Sequence, residues 1–243
     1  MKPRKLLLTL VCLQILLLPS ALFTASGASV DDAPHLDLPF EVVDSPYKPG
    51  ETWGPVILRI TAPNGQRLHY VSDLPKPVVQ RMDANFDGVD DLAVMVSSGA
   101  TNSVYRLFIL QGDQYVAVDD GQEEGLFNLV LHPQYKLVES QGTSGLAGAL
   151  HEKLLMKWED NRLVPLRRAF CGNLETSTFE NDQYTVTTWY NVLHARVVDY
   201  SRGLFEDPVT LFDETFDMDV QGMEDKYLNF YQREQAALWQ GLR

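Results

Sequence analysis

The chain has 243 residues, 45% of them hydrophobic and 22% charged, which is enough apolar material for a sizeable core and far from the composition of a disordered segment. With 20 Lys and Arg against 33 Asp and Glu its formal charge is −13, a field that repels polyphosphate backbones and argues against nucleic acid as a partner. Two cysteines and no Cys/His cluster at zinc spacing exclude a disulfide framework and a structural zinc.

The first segment has the order of an export signal. Lys2, Arg4 and Lys5 are followed by an apolar run from Leu6 to Leu18, then Pro19 and small residues ending at Ala28. Gln14, Pro19 and Ser20 interrupt the run, so it is too broken for a membrane span of roughly 20 apolar residues. Residues 1–28 are therefore expected to be a signal peptide, and the remainder to be free of the membrane. Cys12 does not fit a lipidation site, because bulky Leu10 and Val11 precede it. Cleavage after Ala28 removes three positive charges and takes the formal charge from −13 to −16. It leaves Cys171 alone, next to Ala169 and Phe170, where it reads as a small buried hydrophobe.

Residues 29–54 contain Pro34, Pro39, Pro46 and Pro49 and show no helical period, so an extended entry segment is expected. From Pro55 the chain alternates short apolar runs with turns. Val56 to Ile60, the turn Pro63-Asn64-Gly65 and Leu68 to Val71 form one strand–turn–strand unit. Strands follow at Val78 to Met82, Leu92 to Val96, Tyr105 to Leu110, Tyr115 to Val118, Phe127 to Leu131, Leu137 to Glu139, Leu154 to Trp158 and Leu163 to Arg167. Two more are read at Tyr184 to Trp189 and Ala195 to Tyr200. Asp213 to Asp219 reads as a solvated acidic connector. Met223, Tyr227, Phe230, Tyr231 and Leu238 then recur at steps of three and four, which predicts an amphipathic helix over Met223 to Trp239. The expected fold is mainly β, a propeller-like stack of small antiparallel sheets or a sandwich, with a β domain over 55–170 and a C-terminal extension and helix over 171–243.

The sharpest chemical motif is Asp83-Ala84-Asn85-Phe86-Asp87-Gly88-Val89-Asp90-Asp91, of the form D-x-N-x-D-G-x-x-D, between two apolar strands. Side-chain oxygens at alternate positions converge when the backbone wraps round a point, and a glycine permits the sharp turn. Asp83, Asn85, Asp87 and Asp91, with the carbonyl of Val89, make an all-oxygen, strongly anionic set suited to a hard, large cation, so Ca2+ is the expected cofactor. A helix–loop–helix site is excluded, because Val94 stands at the twelfth position and the flanks are strands. A structural ion clamping two strands is expected.

Val79-Gln80-Arg81-Met82 leading into this loop and Leu92, then Asn102, Tyr105, a hairpin around Gly112, Phe127, Leu129, His132-Pro133, Ser140 and Trp158 to Leu163, resemble the periplasmic proteins that inhibit peptidoglycan-cleaving enzymes. These comprise inhibitors of vertebrate-type lysozymes and immunity proteins against secreted cell-wall hydrolases. The resemblance spans roughly residues 75 to 168. It implies an incomplete, calcium-bearing β-propeller-like domain, calcium side chains at Asp83, Asn85, Asp87 and Asp91, and an activity of tight binding that blocks an active site. The segment after Cys171 departs from the family pattern. The acidity agrees, since cell-wall hydrolases are basic and a strongly negative protein steers them into encounter.

The Gly-rich stretch from Ser140 to His151 reads as a loop able to enter a sugar-binding cleft, with Tyr135, Ser140, Gly142, Thr143, Ser144 and His151 as candidate partner contacts. Catalytic readings fail. Gly142-Thr143-Ser144-Gly145-Leu146 lacks the final glycine of a nucleophile elbow, the five histidines are scattered, and the carboxylate pairs Asp119-Asp120 and Glu123-Glu124 flank glycines as in a solvated turn. The chain is expected to be a non-enzymatic periplasmic inhibitor of a basic peptidoglycan hydrolase. The alternative is a calcium-stabilised module that binds glycan or a surface protein without inhibiting anything.

Overall fold

The computed structural model describes residues 27–45, 55–122, 124–144, 149–180, 183–202 and 207–242. Most of the signal segment, residues 46–54 of the entry segment, and Gly145 to Gly148 of the Gly-rich stretch lie outside the described residues. The fold is mainly β, built of antiparallel sheets with one C-terminal helix, as the sequence predicts. The chain divides into two compact units, Ser26–Gly142 with Leu155–Pro165, and Thr143–Leu154 with Leu166–Arg243. This partition is discontinuous because three strands carry residues of both units.

In the first unit, β1 (Ala28–Ser29), β2 (His35–Leu36) and β3 (Phe40–Asp44) are short edge strands separated by Pro34 and Pro39. The entry segment is therefore less free than expected: β1 pairs with β11 (Val130–His132), β2 with β6 (Val78–Met82), and β3 with β4 (Val56–Thr61). Pro34 and Pro39 stand in the gaps between these strands, where no ladder donor is needed. β4 continues into β5 (Arg67–Ser72) through a turn in which Gly65 takes φ 85° and its N–H donates to the Ala62 carbonyl at 2.8 Å. β5 alternates strictly, with Leu68, Tyr70 and Ser72 inward and Arg67, His69 and Val71 outward, the period-2 signature of a half-buried strand. Gln66 then behaves like a strand residue: its side chain accepts from the Tyr115 N–H (2.6 Å) and donates to the Tyr115 carbonyl (2.8 Å).

The larger sheet runs β10 (Leu126–Phe127), β8 (Ser103–Gln111), β7 (Asp91–Ser98), β6 and β2, with β9 (Gln114–Ala117) also on β8. β7 lies between two strands and is buried on both faces, which is why Leu92 to Val96 reads as a continuous apolar run. Leu58, Ile60, Leu68 and Tyr70 of the small sheet pack against Val79, Leu92, Val94 and Phe108 of the larger one to form the core. The single strand expected over Phe127 to Leu131 is two strands in different sheets. Asn128, at φ 37°, divides them; its amide accepts from the Ser103 N–H at 2.8 Å and donates to the Gln141 carbonyl at 2.8 Å, replacing ladder bonds.

β12 (Leu137–Ser144), β13 (Leu150–Glu159) and β14 (Arg162–Glu180) carry residues of both units. The second unit is dominated by β14 and β15 (Gln183–Asp199), a hairpin longer than the separate strands expected, followed by β16 (Val209–Asp217) and α1 (Met223–Trp239). The acidic stretch expected to be a connector lies largely in β16. Phe212 and Phe216 point inward while Asp213, Thr215 and Asp217 face solvent, so alternation outweighs net charge in deciding its structure.

Helix α1 packs Phe230 edge-on to Phe212 (5.8 Å between centroids) and beside Phe216 (5.3 Å). Its C-terminus is held by Arg167, whose guanidinium donates to the carbonyls of Leu238 (2.9 Å) and Gln240 (2.7 Å) and pairs with Asp199 at 2.9 Å. These carbonyls would otherwise be orphaned at the helix end, and a cation there also meets the negative end of the helix dipole. Burial alone would raise the Asp199 carboxyl, but hydrogen bonds from Ser201 and Arg167 outweigh it and hold the group below the ordinary carboxylate range. Replacing Arg167 with Ala leaves a buried carboxylate and the helix end unpaired. Arg167→Ala is expected to lower unfolding free energy by about 3 kcal/mol or more in urea titration; a loss below about 0.5 kcal/mol contradicts this assignment.

Candidate metal centre

Met82 pairs with Asp91, so residues 83–90 form a closed loop between the neighbouring strands β6 and β7. Phe86 (φ 62°) and Gly88 (φ 85°) both take left-handed backbone, which folds the loop back on itself. Three side chains hold that turn from within. The two Asp83 oxygens accept from the N–H groups of Asp87 and Gly88, each at 3.0 Å. Asn85 Oδ1 accepts from the Asp87 N–H at 3.1 Å, and Asp87 Oδ1 from the Val89 N–H at 2.8 Å. Alternate oxygen-bearing residues are thus wound into one short turn, as the spacing predicts. Asp83 and Asn85 are half-buried, while Asp87 and Val89 are exposed.

Asp91 plays a further part. It is fully buried at the start of β7, where one oxygen accepts from the N–H groups of Ala84 (2.9 Å) and Asn85 (3.3 Å) and the other from the N–H of Leu110 in β8 (2.8 Å). The carboxylate therefore ties both the incoming arm of the loop and the neighbouring strand to one point. Trp158, in β13, adds a bond from its indole N–H to the Ala84 carbonyl at 2.8 Å. Among the described residues, no group of three or more His, Cys, Asp or Glu side chains is gathered for a metal. The available donors are instead mixed: the Asp83 and Asp87 carboxylates, the Asn85 amide oxygen and the Val89 carbonyl, with Asp91 behind them. This all-oxygen chemistry fits a hard cation and offers nothing for a soft one.

The six candidate partner contacts separate. Ser140 and His151 are buried, which corrects their reading as surface contacts. Ser140 Oγ accepts from the Phe127 N–H at 2.9 Å, because strand β12 runs through Ser144 where a loop was expected. His151 is a core residue of the second unit. Its Nδ1 faces the Ala149 carbonyl at 3.1 Å and its Nε2 faces the fully buried Glu234 carboxyl at 2.8 Å, with Tyr231 edge-on at 5.4 Å. A carbonyl can only accept, so Nδ1 is the donor in that contact. Tyr135, Gly142 and Thr143 are partly exposed and Ser144 is exposed. Tyr135 sits in the turn after β11, its N–H donating to the His132 carbonyl at 3.0 Å.

Two further residues differ from expectation or sharpen it. Asp120, expected in a solvated turn, is buried near Arg106 at 3.8 Å, and burial pushes its carboxyl above the ordinary value. Cys171 is buried in the second unit, and burial pushes its thiol up to about 12, so it is chemically inert at neutral pH. The His151–Glu234 pair has no local signature, because 83 residues separate its members. No family model matches the chain, and no curated protein or solved structure matches it either.

Burial raises the Asp91 carboxyl from 3.8 to about 6, against the lowering effect of its three N–H donors. A folded-state value above the unfolded one means that the folded chain holds this proton more tightly. The stabilisation is complete below the unfolded value and disappears as pH rises through about 6, a difference of about 3 kcal/mol. In chelator, the stability of wild type relative to Asp91→Asn is therefore expected to fall between about pH 4 and about pH 7, as read from urea midpoints. A difference that grows over this window contradicts the assignment.

Proposed function

We propose that the protein is a non-enzymatic, calcium-stabilised inhibitor of a peptidoglycan hydrolase, acting in the periplasm. The observation that carries the reading is the D-x-N-x-D-G-x-x-D loop, closed by a buried Asp91 between two paired strands. The sequence resemblance over residues 75 to 168 supports the inhibitory activity, and the formal charge of −13 supports a basic partner. In this reading Asp83, Asn85, Asp87 and the Val89 carbonyl hold Ca2+ with Asp91 behind them, and the ion supplies positive charge that offsets the Asp83 and Asp87 carboxylates of the turn. Its role is structural. Residues of this chain orient the loop, and inhibition comes from occupying the partner's cleft.

Two measurements test this reading. Asp87→Ala removes an exposed donor without touching the core, so it is expected to weaken calcium binding at least tenfold in titration calorimetry and to abolish the calcium-induced rise in melting temperature. At a calcium concentration a hundredfold above the dissociation constant, that rise corresponds to about 2.7 kcal/mol for the wild type. Full-strength binding by the variant removes the loop assignment. Lysis assays with a vertebrate-type lysozyme and a panel of secreted cell-wall hydrolases are expected to show stoichiometric loss of activity for one of them. A folded, calcium-loaded protein that inhibits none points to the binding-module alternative.

A further inference from the structure

The β14–β15 hairpin extends beyond the strands that flank it. A two-residue turn, Asp160-Asn161, joins ten-residue β13 to β14, so β13 reaches only to about Cys171, and β16 pairs with β15 only between Val192 and Asp199. Seven further residue pairs, from Leu174↔Trp189 to Glu180↔Gln183, continue the hairpin as a two-stranded ribbon about 24 Å long. Both of its faces are in solvent: Glu175, Thr176 and Ser177 on one strand and Thr185, Val186 and Thr187 on the other are all exposed. A two-stranded ribbon is marginal in water and gains little from burial within its own fold.

Its large side chains are consequently notable. Val186 is 49% exposed, Trp189 49% and Tyr190 76%. Trp189 lies across the ribbon, its indole N–H donating to Thr176 Oγ1 at 3.4 Å. Tyr190 projects from a bulge. The register passes from Asn173↔Leu193 to Leu174↔Trp189, so Tyr190, Asn191 and Val192 are extra on β15. That bulge is fixed at its base, where the Met218 N–H donates to the Asn191 carbonyl at 2.8 Å and the Asn191 amide donates to Asp219 at 3.0 Å. Bulges re-aim side chains, and Trp and Tyr are the residue types that dominate binding energy at interfaces.

We propose that this ribbon is the arm that enters the substrate cleft of a basic peptidoglycan hydrolase, with Trp189 and Tyr190 as its anchoring contacts. The assignment rests on the inhibitor reading and names the surface through which it acts. Charge selects the occupant. The ribbon carries the exposed Glu175, the sequence from Gly172 to Val192 contains no Lys or Arg, and the exposed Asp217 and Asp219 stand beside the bulge. This acidity opposes a second copy of the same acidic chain and an anionic glycan strand alike, while it attracts a basic enzyme.

The test uses the full mature chain and a vertebrate-type lysozyme as the first probe, followed by the hydrolase panel. The Trp189→Ala/Tyr190→Ala double variant is expected to keep its melting temperature, since both side chains are exposed, and to inhibit at least about 30-fold more weakly. Glu175→Lys is expected to slow association, most strongly at low salt. Undiminished inhibition by the double variant overturns the arm and leaves the inhibitor reading standing. A wild type that inhibits no hydrolase overturns both. Binding of soluble peptidoglycan fragments through Trp189, or a dimer dissolved by Tyr190→Ala, also overturns the assignment of a protein cleft.

Discussion

The Asp91 carboxylate is the point on which the first unit depends. A buried charge costs several kcal/mol unless it is well paired, and this one is surrounded by three main-chain N–H groups drawn from two separate parts of the unit. Ala84 and Asn85 bring the loop to it, and Leu110 brings β8. One side chain thus fixes both the shape of the loop and its place against the sheet. The half-buried Asp83 and Asn85 and exposed Asp87 inherit their positions from that anchor, which is why oxygens at alternate residues are available together on one turn. Burial raises the Asp91 carboxyl, with the nearby Asp87 charge adding to it, and a bound cation is the natural counterweight.

The second unit uses a different device, charge buried under a helix. Arg167 satisfies the last carbonyls of α1 and Asp199 together, and Glu234 from the middle of the helix meets His151 of β13. Lys153 adds a bond to Gln235 at 3.0 Å. Polar pairs of this kind contribute specificity of docking as much as stability, because a helix rotated by one residue would bury Glu234 without a partner. The aromatic set Phe212, Phe216, Tyr227 and Phe230 supplies the apolar burial around them. A docked helix and a four-stranded base of β13, β14, β15 and β16 lie at the foot of the outer hairpin.

Much of this was legible in the sequence because it follows from local periodicity. The alternation of Leu68, Tyr70 and Ser72, the continuous run of β7 and the helical stripe from Met223 to Trp239 each carry their own signal. The loop was legible for the same reason, since its donors lie within nine residues. What local pattern cannot supply is pairing at a distance. His151 and Ser140 read as surface residues because nothing near them announces Glu234 or the Phe127 N–H. Asp213 to Asp219 read as a connector because charge masked the inward alternation of Phe212 and Phe216. Trp189 lay in a strand that was recognised, yet whether a strand's faces are covered depends on where its neighbours end, and that is a property of topology.

The central claim is that a cation at residues 83–91 locks the loop to the sheet through the network centred on Asp91. Amide hydrogen exchange followed by mass spectrometry, with and without calcium, tests it most directly. Slower exchange in peptides covering Ala84 to Val89 and Leu110 when calcium is added, with the β14–β15 ribbon unchanged, is the predicted result. Exchange that is identical in the two conditions across the loop would contradict the account.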